Sequence, residues 1–223
     1  MTAWSYSSIN TFKQCPKKYY HLKVAKDVKD KGSEAMLYGN LVHKAAEDYI
    51  KNGKEVPAKF NYIVPTLVAL DNIPGEKHCE LKLGVTFDGE NYTPTTFFGK
   101  DVWWRGVADL LIVDGEKGFL VDYKTGKNTK YADTAQLDLL AAAIFTHFPQ
   151  LKVIKSALAY LVSNDFIKKE HKVELRNSYF STFNEQLERL EAAEEHNVWN
   201  AISGPLCGWC PVTKCEHWKE RKK

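Results

Sequence analysis

The sequence predicts one α/β domain, residues 1–223, with a small cysteine-ligated appendage formed jointly by residues 1–30 and 203–223. Three observations carry this reading. Segments of helical period and of strand period follow one another in the order helices, strand meander, helix, strands, helix. The strand residues Leu110 to Val113, Leu120 and Val121 are apolar on both faces, as in a sheet covered on both sides. Cys207, Cys210 and Cys215 cluster near the C-terminal end, away from Cys15 and Cys79. A composition of 44% hydrophobic and 26% charged residues excludes disorder as the main state.

Residues 5 to 25 read as helix, with Ser7 or Ser8 as cap and Pro16 dividing it into two short pieces. A clearer helix spans about Met36 to Lys51, where Leu37, Leu41, Val42, Ala45, Ala46 and Tyr49 recur at helical spacing and Gly53 ends the run. His43 lies at the margin of that stripe. A weaker helical segment lies between Pro57 and Pro74. Cys79, Leu81, Leu83, Val85 and Phe87 then alternate with Glu80 and Lys82 at strand period. Trp103 to Val113 and Phe119 to Lys124 are two further strands around a DGEK turn. Tyr131 to Phe148 reads as helix, Ser156 to Val162 as strand, His171 to Leu175 as a weaker strand, and Asn184 to Ile202 as a long acidic helix.

The net charge of +3 is small and unevenly spread. Seven lysines lie between Lys13 and Lys31, whereas Glu185 to Glu195 is acidic, so a phosphate-binding face is compatible with the charge but not required by it. No apolar run approaches the roughly 20 residues that cross a bilayer. The opening residues carry no secretory pattern, and the expectation is an intracellular protein without a membrane partner.

The sharpest chemical signal is the hairpin from Val107 to Lys124. With DGEK as the turn, Val113 faces Gly118 and Asp109 faces Asp122. Asp109, Asp122 and Lys124 then converge on one sheet face. Opposed carboxylates in apolar surroundings are costly without a cation, and hard oxygen donors suit Mg²⁺ or Mn²⁺. A nearby lysine ammonium can orient or deprotonate water, or stabilise charge on phosphorus oxygens.

GVADLLIVDGEKGFLVDYKTGK resembles the core of the PD-(D/E)XK nuclease superfamily, in its RecB-like exonuclease branch. SYSSINTFKQCPKKYY is similar to that branch's amino-terminal helix, YGNLVHKAAEDY to its G-x-x-x-H helix, and AQLDLLAAA to its glutamine helix. The resemblance implies a restriction-endonuclease-like core, a central mixed sheet flanked by helices. It implies metal ligation by His43, Asp109, Asp122 and the Tyr123 backbone carbonyl, with Lys124 as catalytic lysine and Gln136 beside it. Glu80 matches a recurrent glutamate and is held as lining the site. Leu140 stands where the branch has a tyrosine, a role that Tyr131 or Tyr123 could fill.

The close pair Cys207 and Cys210, with Cys215, has the form of a metal–thiolate site one ligand short. Similarity to CRISPR-associated RecB-type and AddB-type nucleases implies Cys15 as the fourth ligand of a [4Fe–4S] cluster. The C-x₄-C spacing before Cys215, with His217 nearby, leaves zinc open as the alternative, and a metal-free tail as a third; Cys79 reads as a core residue. The resemblance implies hydrolysis of DNA, single-stranded or with frayed ends, by an exonuclease of recombination, repair or replication that could serve a helicase or recombination partner. A structure-selective endonuclease and a catalytically silent DNA-binding scaffold are the alternatives. Lys13, Lys17, Lys18, Lys127 and Lys130 are candidate backbone contacts, and Tyr19, Tyr20, Trp103 and Trp104 candidate base-stacking groups.

Overall fold

The computed structural model describes residues 3–30, 32–130 and 132–219. In chain order the helices are α1 (Tyr6–Gln14), α2 (Pro16–Tyr19), α3 (Glu34–Asn52), α4 (Val64–Asp71), α5 (Ala135–His147), α6 (Arg176–Ser181) and α7 (Asn184–His196). The strands are β1 (Glu76–Phe87), β2 (Tyr92–Thr95), β3 (Trp104–Asp114), β4 (Lys117–Lys124), β5 (Val153–Tyr160) and β6 (Asp165–Lys172). Two compact units result, one spanning Ser33–Ser181 and one joining Met1–Gly32 to Thr182–Lys223. No helix among the described residues is long and apolar enough to cross a membrane.

The larger unit is a six-stranded mixed sheet in the order β2-β1-β3-β4-β5-β6. Every neighbouring pair is antiparallel except β4 and β5, which run parallel and are joined through α5. Val113 pairs with Gly118 as the spacing predicts, but Asp114 also pairs with Lys117. The turn is therefore Gly115-Glu116, with Gly115 in the left-handed region at φ 56°. Val42 and Ala46 of α3 and Leu67 of α4 bury completely against Leu110 and Ile112, with Val121 and Tyr123 beside them. Each such aliphatic side chain contributes roughly 1.5–3 kcal/mol on burial.

Several elements differ from the sequence reading. Ser33 caps α3 by accepting from the Met36 amide, and Gly53 closes it in the left-handed conformation. Its apolar stripe, however, is buried only over Val42, Ala45 and Ala46; Leu37 and Leu41 are about half exposed, at 54% and 52%. The short edge strand β2 was not expected, since Pro94 lies within it; an edge tolerates a missing amide. The last strand covers Asp165–Lys172 rather than His171–Leu175, and Val173–Leu175 forms a 3-10 turn. Lysines on both sides of β6 hide its alternation, a common property of edge strands.

The smaller unit begins with a capping box in which Ser5, not Ser7 or Ser8, is the N-cap and Ser8 reciprocates. Pro16 opens α2 at a position where its missing amide costs nothing. Phe12, Tyr19, Tyr20 and Trp199 interlock, with Tyr19 stacked on Trp199 at 6.0 Å. α7 buries Leu187, Leu190 and Ala193 and ends at His196, six residues before the expected Ile202, because Asn197 turns left-handed at φ 50°.

Candidate active site

The regular pairing of β3 with β4 ends at Leu110 opposite Val121. The next step of the register would set Asp109 against Asp122, but the strands part there. Instead the Tyr123 amide donates to the Asp109 carboxylate at 2.7 Å, so a side chain takes over from the main-chain ladder. The expectation of a directly opposed pair is corrected to this extent. On the other side of β3, Cys79 pairs with Leu110 and Leu81 with Ala108, while Glu80 between them leaves the ladder at φ 51°. A left-handed non-glycine residue costs roughly 1–2 kcal/mol, and such strain gathers at functional sites.

α3 delivers the third group. Val42, Ala45 and Ala46 anchor its buried side, which leaves His43 at the edge. His43 Nδ1 lies 3.4 Å from an Asp109 oxygen, and the ring meets Tyr123 edge-on at 5.8 Å. Donor atoms of His43, Glu80 and Asp109 all lie within 4.8 Å of one another. The structure thus draws Glu80, expected only as a lining residue, into the donor group itself. The conformation that turns it inward leaves no mark in the residue pattern.

Asp122 is nearly fully buried and is not part of that three-residue group. Lys124 Nζ stands 2.5 Å from its Oδ2 as an ion pair. Lys124 also donates to the Gln136 side-chain oxygen at 3.3 Å. β4 and the first turn of α5 therefore hold the aspartate, ammonium and amide in sequence.

The electrostatics record crowded negative charge. Burial pushes the Asp122 carboxyl up to about 6, with Asp109 adding to the rise and Lys124 opposing it. Burial, then Asp109, also raises Glu80. Burial alone would lower His43, but Asp109, Asp122 and Glu80 outweigh it and raise the imidazole. One imidazole among hard carboxylate oxygens, in a site crowded with negative charge, fits a divalent cation of the Mg²⁺ or Mn²⁺ type.

In the smaller unit Cys15, Cys207, Cys210 and Cys215 line one pocket of about 240 Å³ with Gln14, Lys18 and Trp218. The Ile202 amide approaches Cys15 Sγ at 3.5 Å and the Gly204 amide approaches Cys207 Sγ at 3.3 Å. Burial raises the Cys210 thiol.

Other expected residues are placed differently. Tyr19 and Trp104 are core residues, 5% and 1% exposed, with no free face for a base, and Trp103 is half-buried against Phe87, Tyr92 and Phe180. Tyr20 leans on Trp199. Lys17 is ion-paired with Glu216 and Lys18 lines the cysteine pocket, whereas Lys13, Lys127 and Lys130 are exposed. Leu140 is buried in α5, and Tyr131 lies outside the described residues. Phe97 and Phe98, adjacent aromatics in a T-T-F-F-G turn that the residue pattern left unassigned, lie against Lys82 and Arg105.

The comparisons agree with this architecture. The family model of the PD-(D/E)XK nuclease superfamily matches residues 3–215. The chain belongs to that superfamily, and its mixed sheet flanked by helices is the restriction-endonuclease-like fold. Among solved structures, a Eubacterium rectale protein described as a candidate exonuclease is similar over 99% of this chain and 90% of its own, at 15% identity and a TM-score of 0.56. The crystal structure of SSO0001 is similar over 97% of this chain and 87% of its own, at 12% identity and a TM-score of 0.50. At these identities the likeness concerns the fold. No match was found among curated proteins.

Proposed function

We propose that this nuclease is a Mg²⁺- or Mn²⁺-dependent exonuclease acting on single-stranded or frayed DNA ends. The observation that carries the reading is the convergence of His43, Glu80 and Asp109 within 4.8 Å, beside the Asp122–Lys124–Gln136 chain. His43, Asp109 and Asp122 would hold the cation with Glu80, and the Tyr123 carbonyl would be a further donor. A bound cation of this type supplies Lewis acidity to a phosphodiester and lowers the pKa of water.

The chain's own residues account for the rest. Tyr123 fixes Asp109 through its amide, so one carboxylate oxygen is oriented before substrate arrives. Gln136 holds the Lys124 ammonium, which assists the attacking water and stabilises charge on the phosphorus oxygens. Water attacks phosphorus as the bond to the sugar oxygen on the opposite side breaks; the attacking water gives up its proton to bulk water, and the departing oxygen takes one from bulk water. Exposed Lys127 and Lys130 engage backbone phosphates.

The four cysteines are proposed as ligands of a [4Fe–4S] cluster tying the chain ends together. Tetrahedral zinc with bonds near 2.3 Å requires sulfurs about 3.8 Å apart. The described cysteines contain no set of three sulfurs mutually within 4.8 Å, yet all four line one pocket, which favours a larger inorganic group.

End-labelled linear and circular single-stranded DNA, digested with Mn²⁺, tests the function. Cleavage of the linear form alone, abolished by Asp122→Ala, is expected. Cutting of circles would make the protein an endonuclease, and metal-dependent cleavage of neither would make it a scaffold.

A further inference from the structure

The loop between β2 and β3 presents an aromatic pair in an unusual setting. The Gly99 amide donates to the Thr96 carbonyl at 2.9 Å, which makes Phe97 and Phe98 the two central residues of a closed β-turn. Such positions ordinarily hold Gly, Pro, Asn, Asp or Ser. Phe98 is 75% exposed, the highest value among the described residues' exposed large hydrophobic side chains. The turn is firmly held. A Cβ at Gly99 would come within 2.8 Å of Thr95 Oγ1, and Thr95 in turn donates to Asp101 at 3.2 Å.

Two cations attend the rings. Lys82 Nζ lies 5.7 Å from the Phe98 centroid and the Arg105 guanidinium 5.6 Å from that of Phe97, while the rings meet edge-on at 4.9 Å. Lys82 stands two residues beyond Glu80 on β1, and Arg105 four residues before Asp109 on β3. At the strand rise these steps are roughly 7 and 13 Å, the scale of one or two nucleotides. The two cations are thus borne by the strands that supply two of the proposed metal donors, and the exposed ring by the loop that leads into the second of them.

We infer that Phe98, supported by Phe97, is a stacking platform for an unpaired base next to the scissile linkage, with Lys82 and Arg105 holding the adjoining phosphates. The inference rests on the nuclease reading and narrows its substrate to a strand whose terminal bases are unstacked. A flat exposed ring accepts any base, so the platform selects single-strandedness without selecting sequence. Paired bases in an intact duplex have no free face to offer it.

The test uses the full-length protein in EDTA, which prevents cleavage, and a short single-stranded oligonucleotide containing 2-aminopurine. Stacking quenches the probe. Wild type and Phe98→Trp are expected to quench it, whereas Phe98→Ala binds roughly tenfold more weakly without quenching, in the range that one base–aromatic stack supplies. With Mn²⁺, Phe98→Ala should raise KM about as much and leave kcat close to wild type. Lys82→Ala/Arg105→Ala should weaken binding and flatten its salt dependence. Equal quenching by Phe98→Ala and wild type, equal quenching of a blunt duplex, or self-association through Phe98 in place of DNA binding would overturn the platform. A chain that quenches the probe but cleaves nothing would retain the platform and refute the nuclease reading. Cleavage with Phe98→Ala equal to wild type would do the reverse.

Discussion

Glu80 and Asp122 show how the candidate site stores free energy in single residues. Glu80 sits left-handed in the middle of a strand. Glu80→Asn, a residue more tolerant of that conformation, should stabilise the chain by about 0.5–1 kcal/mol in urea titrations without metal, while Mn²⁺-dependent cleavage falls at least tenfold. Asp122 carries a different penalty. Its folded pKa is raised to about 6 by burial, above the ordinary carboxylate value, so the folded state keeps its proton where the unfolded chain has lost it. This group therefore costs nothing well below pH 4, and its penalty grows as pH rises through about 6. Melting curves in EDTA should show Asp122→Asn gaining on wild type between pH 4 and 7; a pH-independent difference would contradict the burial argument. That Asp109, Asp122, Lys124 and Gln136 lie near one another was legible in the residues or in the family resemblance. Glu80's place in the donor group was not, because a local dihedral angle leaves no periodicity.

The elements show why some parts were easily read and others not. β3 and β4 carry dense apolar runs around a short turn, and the pairing of Val113 with Gly118 followed directly. β6 mixes lysines with partly buried residues, and α3 spends its leucines at 37 and 41 outside the core, so hydrophobic period misplaced one and overextended the other. A buried polar chain joins α5 to β5 and β6. Asp138 pairs with Lys169 at 2.7 Å and with fully buried His171 at 3.3 Å, and His171 meets Ser156 Oγ at 2.7 Å. Asp138→Ala takes the carboxylate away from fully buried His171, whereas the partly exposed Lys169 can turn to water, and should cost about 1–3 kcal/mol by urea denaturation. Gln136 lies on the same helical turn, so kcat should fall as well.

At the scale of the molecule, each of the two units carries one proposed site. The larger holds the proposed cation ligands; the smaller brings a cysteine from near one end of the chain into a pocket with three from near the other. Sequence spacing located the three clustered thiols, the family resemblance implied Cys15 as the fourth, and the fold sets all four around one pocket. Anaerobically purified protein should contain iron and sulfide in equal amounts and absorb broadly near 400 nm, and Cys15→Ala should lose both. Zinc without sulfide would replace the cluster with a single-ion site. The account rests most heavily on cation capture by the larger unit. Calorimetric titration of Mn²⁺ into the wild-type protein and into Asp109→Ala tests it directly: saturable uptake by the first and none by the second is expected, and equal heats from both would contradict the account.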